Sequence, residues 1–356
     1  MLIIDSHLDL SWNALGWNRD LRLSIAEMRA AEATMTTRGR RLNTISFSEM
    51  RRGEIGICLA TLLARANPKA STESLYPALD YRSQEIACSV AQGQLAYYRL
   101  LAEDGVCRII RDLAALKQSY ADWQSGKGDA PFGFIIAMEG ADPILSPSHI
   151  GRWWDDGLRV IGISHYGPSA YGYGTGGDGP LTPKGRDLVR AMDERGMILD
   201  LTHSADQSFW EALSIFKGSV LASHNNCRAL VPGDRQYSDD QVRAIVERDG
   251  VIGSVLDAWM LVPGWKITEP NMATLELVAD QMDHICQLAG NARHVAIGSD
   301  LDGGYGTEQT PTDLDTIADL QKLSGILRRR GYSEADVAGI FHGNWMRLFT
   351  AAWAKN

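Results

Sequence analysis

The chain has 356 residues, of which 45% are hydrophobic and 22% charged, and a formal net charge of −9. That length allows two domains of ordinary size or one large barrel, and the composition supports a packed core rather than a disordered chain. The acidic balance excludes nucleic acid or an anionic membrane surface as the main partner, because both need a basic face.

Met1 leads directly into Leu2-Ile3-Ile4, with no basic region or small-residue cleavage site, so no secretory signal is expected. No apolar run approaches the roughly 20 residues of a membrane-spanning helix. The five cysteines (Cys58, Cys88, Cys107, Cys227, Cys286) are scattered and form no CxxC pair. They read as reduced structural thiols, and the expected compartment is the cytoplasm.

Short apolar runs follow in order at residues 2–5, 56–63, 133–138, 159–164, 197–201, 219–222, 251–255 and 294–298. Most are nearly continuous in apolar character, as strands buried on both faces of a parallel sheet must be. A weaker strand is expected at 106–110, after a long helical region at 83–103. Residues 167–179, rich in glycine, read as a loop. The helix predicted over 181–195 has a Thr182 cap and Pro183 in its first turn, and Gly196 stops it. A helix over 238–248 opens on Ser238 with an acidic first turn, and further helices are predicted over 271–288, 312–330 and 333–352.

Alternation of strand and helix predicts a (β/α)8 TIM barrel, an α/β fold. An open doubly wound sheet is the rival, but no GxGxxG follows the first strand. The chain reads as a single domain over 1–356, with insertions at about 11–52 and 71–131.

The chemistry-bearing residues gather where the strands end. These ends read Asp5-Ser6-His7-Leu8-Asp9, Met138-Glu139, Ser164-His165, Thr202-His203, Ser223-His224 and Ser299-Asp300-Leu301-Asp302. In a barrel the C-terminal strand ends converge on one mouth. On an extended strand, positions i and i+2 share a side, so His7 and Asp9 can reach one metal. His203 and His224 can share a second, and Glu139, with two oxygens, can bridge. Imidazole and carboxylate ligands without thiolate suit zinc, with manganese or iron as alternatives.

A lone strand-end histidine is usually a satisfied polar residue, and Asp9 and Asp302 could be turn or helix caps. The joint occurrence on several strands is what points to a metal site. His149, His284, His294 and His342 sit at no such strand end and read as structural or packing residues.

The sequence resembles the membrane (renal) dipeptidase family of metallopeptidases, within the amidohydrolase-like barrels. The resemblance rests on DSHLDL at 5–10, AMEGAD at 137–142, LTPKGRDLVRAMDERGMILDLTHS at 181–204, ASHNNCRAL at 222–230, IGSDLDG at 297–303 and GNWMRLF at 343–349. It implies a (β/α)8 barrel with two Zn2+ ions and metallo-dipeptidase activity, hydrolysing the amide bond of short peptides by metal-bound hydroxide. A D-residue at the C-terminal position of the substrate is part of that expectation.

By position, His7, Asp9, Glu139, His203 and His224 resemble the family's metal ligands. Asp300 resembles its acid/base residue, His165 the histidine that contacts the substrate carbonyl and the tetrahedral intermediate, and Arg235 the arginine that contacts the substrate carboxylate. The resemblance also suggests a homodimer. It departs after His165, where the family's Asn is missing, at Arg235-Gln236, and at Leu256-Asp257-Ala258-Trp259-Met260. Other binuclear amidohydrolases, acting on N-acyl amino acids, cyclic amides or lactones, are the alternative. A metal-binding protein with a relic site is the non-enzymatic one.

Overall fold

A computed structural model describes residues 1–71, 79–126 and 128–354. Eight parallel strands pair in chain order: β1 (Ile3–Leu8), β2 (Ile55–Leu62), β3 (Phe132–Met138), β4 (Leu158–Gly162), β5 (Ile198–Asp200), β6 (Val220–Ala222), β7 (Val251–Ser254) and β8 (Val295–Ile297). Every residue in them is buried. Helices between the strands cover the outer face. This is a TIM-barrel α/β fold, nearly closed, as the strand–helix alternation predicts.

The interior of the barrel is filled by side chains from every strand, among them Ile4, Ile57, Leu59, Ile135, Val160, Ile198, Leu221, Val251 and Ala296. Trp345, Phe349 and Trp353 of the last helix (Asn344–Trp353) join that cluster. The Trp345 indole donates to the Ile297 carbonyl at 3.0 Å, so this helix plugs the barrel. Higher in the barrel the space is too narrow for side chains. A Cβ at Gly298 would lie 1.8 Å from the Ser223 carbonyl oxygen, and one at Gly253 2.2 Å from it.

The seam between β8 and β1 carries no regular ladder among the described residues. Side chains close it instead. The buried Asp5 carboxylate accepts the Ser299 N–H at 2.9 Å and the His7 N–H at 3.1 Å. Ser6 donates to the carbonyls of Ser223 and of Ile297, the latter at 3.1 Å. The β1–β2 register shifts between Asp5 and Leu8. This irregularity lets Ser6 and His7 both serve the barrel interior, which strict alternation would forbid.

Residues 11–52 carry the helices Ile25–Ala31 and Phe47–Arg52. They are tied down by a buried cluster in which Glu32 accepts from Arg19 at 2.8 Å and from Arg40 at 2.7 Å. The weak strand predicted at 106–110 forms as Cys107–Ile109 and pairs with the start of β3. Part of the 71–131 stretch, residues 72–78 and 127, lies outside the described residues.

Two predicted helices are corrected. Over 312–330, the helix forms only from Ile317, first as a 3-10 turn (Ile317–Gln321) and then as Lys322–Arg329. The preceding residues are held elsewhere: Thr312 N–H bonds to the Ala273 carbonyl at 2.8 Å, and Asp313 accepts the Leu275 N–H at 3.0 Å. Over 333–352, a π-helical turn at Gly339–Gly343 interrupts the helix. There the Asn344 amide donates to the carbonyls of Ala292 and Val295 at 2.7 and 2.8 Å, anchoring the helix to the start of β8.

Candidate metal centre

Each predicted ligand lies at a C-terminal strand end. His7 is in β1 and Asp9 just beyond it; Glu139 follows β3, His203 follows β5 and His224 follows β6. The fold brings all of them to one buried point. Glu139 Oε2 is 3.5 Å from His7 Nε2, and Glu139 Oε1 is 3.2 Å from both His203 Nε2 and His224 Nε2. His7 Nε2 is 3.8 Å from Asp9 Oδ1, and the Nε2 atoms of His203 and His224 are 3.2 Å apart.

These atoms fall into three groups that could hold a metal ion: His7, Asp9 and Glu139; Glu139, His203 and His224; and His7, His224 and Asp300. Asp300 therefore joins the cluster, with Oδ1 3.7 Å from His7 Nε2. Both His203 and Asp300 hold left-handed backbone, at φ 64° and 56°. Such strain is maintained where the surroundings over-determine it, typically at functional sites.

The donor set fits a divalent cation. His7 Nε2 is buried and makes no hydrogen bond among the described residues, an unusual state for a buried imidazole nitrogen. Three of the other predicted ligands are braced by hydroxyl groups. Thr175 Oγ1 meets His203 Nδ1 at 3.0 Å, Ser223 Oγ meets His224 Nδ1 at 2.9 Å, and Thr61 Oγ1 donates to Asp9 Oδ1. Partners on Nδ1 leave Nε2 as the metal-facing atom and orient the rings.

Charges within the cluster offset one another. Burial pushes the Glu139 carboxyl up, but the surrounding imidazoles of His165, His7, His203 and His224 outweigh it and hold it well below the usual range. Burial lowers His203 and His224 well below the ordinary histidine value, with Arg235 contributing to both, so they stay neutral and keep their lone pairs. Burial lowers His7, yet Glu139 and Asp9 lift it well above. Asp300 is raised well above the usual carboxyl value by burial, against the pull of His7 and with Glu139 and Asp9 adding.

The cluster forms the floor of a cleft of about 360 Å³ lined by Trp12, Arg65, His165, Arg235, Asp257 and Trp259, among others. His165 follows β4, with Nε2 3.6 Å from Glu139 Oε1. Burial brings its pKa down to about 4, with Arg65 and Arg235 adding and Glu139 opposing. Arg65 Nη1 lies 3.4 Å from His165 Nδ1. A guanidinium can only donate, so Nδ1 carries the lone pair and Nε2 the proton, aimed at the cluster. Arg235 is 3% exposed and is clamped by the Asn225 amide oxygen and, at 2.9 Å, by the His224 carbonyl.

Sequence reasoning did not find Thr61, Thr175, Arg65 or Trp12, which stand outside the strand-end motifs. All three departures from the family pattern border the cleft: Tyr166, whose ring stands edge-on to His203 at 5.0 Å, Arg235, and Asp257 with Trp259. Asp257 accepts from the Trp259 indole at 2.6 Å and from Gln309 at 2.7 Å.

Asp9 occupies the cap position of the helix Leu10–Gly16, but its side chain makes no cap bond. Asp302 is no helix cap. Its carboxylate accepts Thr44 N–H at 2.7 Å and Ile45 N–H at 3.1 Å, pinning residues 11–52 to the barrel mouth. Three of the remaining histidines make structural contacts: His284 bonds Asp239 at 2.8 Å, His294 the Gly250 carbonyl at 2.8 Å, and His342 packs by Tyr120.

A family model described as membrane dipeptidase (peptidase family M19) matches residues 1–355. The chain belongs to the membrane dipeptidase family. Curated relatives include an uncharacterized dipeptidase of Schizosaccharomyces pombe, 28% identical over 60% of this chain and 52% of its own length. A dipeptidase of Clonostachys rogersoniana is 29% identical over 60% of this chain and 54% of its own. The chain thus spans about half the length of these two relatives. A Rhodobacter sphaeroides metallopeptidase, solved with a phosphinate mimic of L-Ala-D-Ala, superposes with a TM-score of 0.79 at 22% identity, covering 99% of each chain. A probable dipeptidase from Pseudomonas aeruginosa gives 0.76 at 17% identity, covering 100% of this chain and 96% of that one. At these identities the likeness to the two structures shows the shared fold alone. None of the helices among the described residues is long and apolar enough to cross a membrane.

Proposed function

We propose that the chain is a metal-dependent dipeptidase whose centre holds two zinc ions: His7, Asp9 and Glu139 on one, Glu139, His203 and His224 on the other. The observation that carries this reading is the placement of Glu139. Its Oε2 faces His7 at 3.5 Å, while its Oε1 faces His203 and His224 at 3.2 Å, as a bridging carboxylate must. Membership in the membrane dipeptidase family supports the substrate class.

The ions, when bound, supply positive charge that polarises a carbonyl and acidifies water. The protein's own residues do the rest. The protonated Nε2 of His165 donates to the scissile carbonyl oxygen and stabilises negative charge there. Asp300, on the rim of the cluster, takes the proton from the attacking water and delivers it to the leaving amine nitrogen. Arg235 grips the free C-terminal carboxylate with its guanidinium fork, which limits substrates to very short peptides. The braced, buried donors cost no reorganisation during the reaction.

The test is steady-state hydrolysis of a dipeptide library, with L- and D-residues at the C-terminal position, by zinc-loaded protein. N-acyl amino acids, cyclic amides and lactones are assayed in parallel. Turnover confined to dipeptides supports the reading. Turnover confined to the other amides or the lactones overturns it.

A further inference from the structure

The cleft carries two guanidinium groups, and a simple dipeptide needs only one. Arg65 stands just past β2 and Arg235 follows β6. In an eight-stranded barrel, strands four apart face each other across the axis, so these groups stand on opposite walls with the Glu139 cluster between them. If Arg235 holds the C-terminal carboxylate, the scissile bond lies over the cluster. The N-terminal residue then points toward Arg65.

Arg65 has a structural reading. Its Nε donates to Asp80 at 2.6 Å and ties together the ribbon Arg65–Ala66 and Asp80–Tyr81. That role uses only the Nε edge. The Nη1 end continues inward to 3.4 Å from His165 Nδ1, within 6.0 Å of the Tyr166 ring, and the side chain is 19% exposed. An ion pair meant only to staple a surface ribbon has no need to extend a cation into the cleft. The wall around it adds Leu63 and Leu79, apolar cover for a methylene stem ending in a charge. On the opposite wall an acidic side chain would meet Asp257, beyond β7.

We propose that Arg65 recognises a carboxylate on the side chain of the substrate's N-terminal residue, so that the preferred substrates are dipeptides beginning with Glu or Asp. This rests on the dipeptidase reading above. Asp80 fixes the guanidinium in orientation, and the Nη end makes the recognition. A site built to bond a charged group rejects the analogue lacking it by far more than a hydrophobic pocket rejects one methylene.

The experiment measures kcat/KM of the zinc-loaded full chain on Glu-Ala, Gln-Ala, Met-Ala, Lys-Ala and Ala-Glu, with the alanine in L and D forms where it is C-terminal. The expected result is a Glu-Ala to Gln-Ala ratio of at least ~10, carried mainly by KM, with Glu-Ala above Ala-Glu. In Arg65→Met the ratio falls to about one. In Arg65→Lys, which keeps the charge and loses the fork, it falls between the two. A ratio near one in the unmodified protein overturns the proposal without any variant. A loss in Arg65→Met that is equal for every substrate and lies in kcat also overturns it, because Arg65 then acts only through His165. No hydrolysis of any dipeptide removes the dipeptidase reading and this proposal together, whereas turnover without acid preference removes this proposal alone.

Discussion

Asp300 is the residue on which the proposed chemistry turns, and its backbone at φ 56° suits a clean substitution. Asn tolerates the left-handed region as Asp does, so Asp300→Asn removes the ionisable oxygen without adding strain. A proton-shuttle role predicts a kcat lower by about 10²–10⁴-fold with metal content unchanged. Near-normal turnover at full metal content contradicts the shuttle. Loss of a metal equivalent instead assigns Asp300 as a ligand, a role its grouping with His7 and His224 allows.

Thr61 offers a second test at this scale, because its hydroxyl braces Asp9. Thr61→Val is expected to weaken metal binding by about 10-fold or more, read by competition with a chelator. Asp257 provides the pH test. Burial raises its pKa to about 7, against bonds from Gln309 and Trp259 and the charge of Arg38. Between pH 3.8 and 7 the folded state then holds a proton that the unfolded state has lost, so this carboxyl's contribution to stability is complete below pH 3.8 and fades as pH rises through 7. Asp257→Asn should therefore lose less stability than the parent between pH 5 and pH 8, by no more than about 3 kcal/mol, in urea unfolding at each pH.

The residues proposed as ligands could be located from the sequence because each lies in or just past the end of a strand, where position in the chain fixes position in the mouth. Arg65, Thr61 and Thr175 could not, because their importance lies in partners far away in the chain: His165, Asp9 and His203.

Among the elements, the strands were the most legible. Burial on both faces leaves little choice beyond apolar residues, so β2 and β3 read as continuous hydrophobic runs. The irregular pairing of β1 was hidden, since nothing local in Asp5-Ser6-His7 signals a register shift. The late start of the helix near Ile317 was hidden for the same reason: Thr312 and Asp313 are held by the segment before the helix Leu275–Ala289. β8 makes the prediction at this scale. A Cβ at Gly298 would press on the Ser223 backbone and on Ser6 Oγ, at 1.8 and 2.6 Å. Backbone cannot swing aside as a flexible side chain does. Gly298→Ala should thus cost about 1–3 kcal/mol or more of stability, seen as a lower urea midpoint, and it should disturb the His224 loop next to Ser223. An unchanged midpoint would show that the barrel top is looser than these contacts indicate.

Over the whole molecule, one design choice explains much of the rest. The barrel is sealed at the β8–β1 seam by Asp5 and Ser6, and residues 11–52 are locked over the mouth by Asp302 and the Arg19–Glu32–Arg40 cluster. These ties hold mutually repelling carboxylates in one largely buried site, a net cost that bound cations would offset. Metal binding should therefore be strongly stabilising, and removal by chelator should lower the melting temperature reversibly. At a free metal concentration 100 times Kd, the linked stabilisation is about 2.7 kcal/mol per site. The net charge of −9 is carried by an ordinary acidic surface; the acidic groups that matter are the few at the mouth.

The most direct test of the account measures metal equivalents and dipeptide hydrolysis on the same sample, titrating zinc into chelator-stripped protein. The account predicts that hydrolysis rises with bound metal and reaches its plateau at two equivalents per chain, as Glu139 bridging requires. Two bound equivalents with no hydrolysis of any dipeptide, or full hydrolysis in the stripped protein, would contradict it.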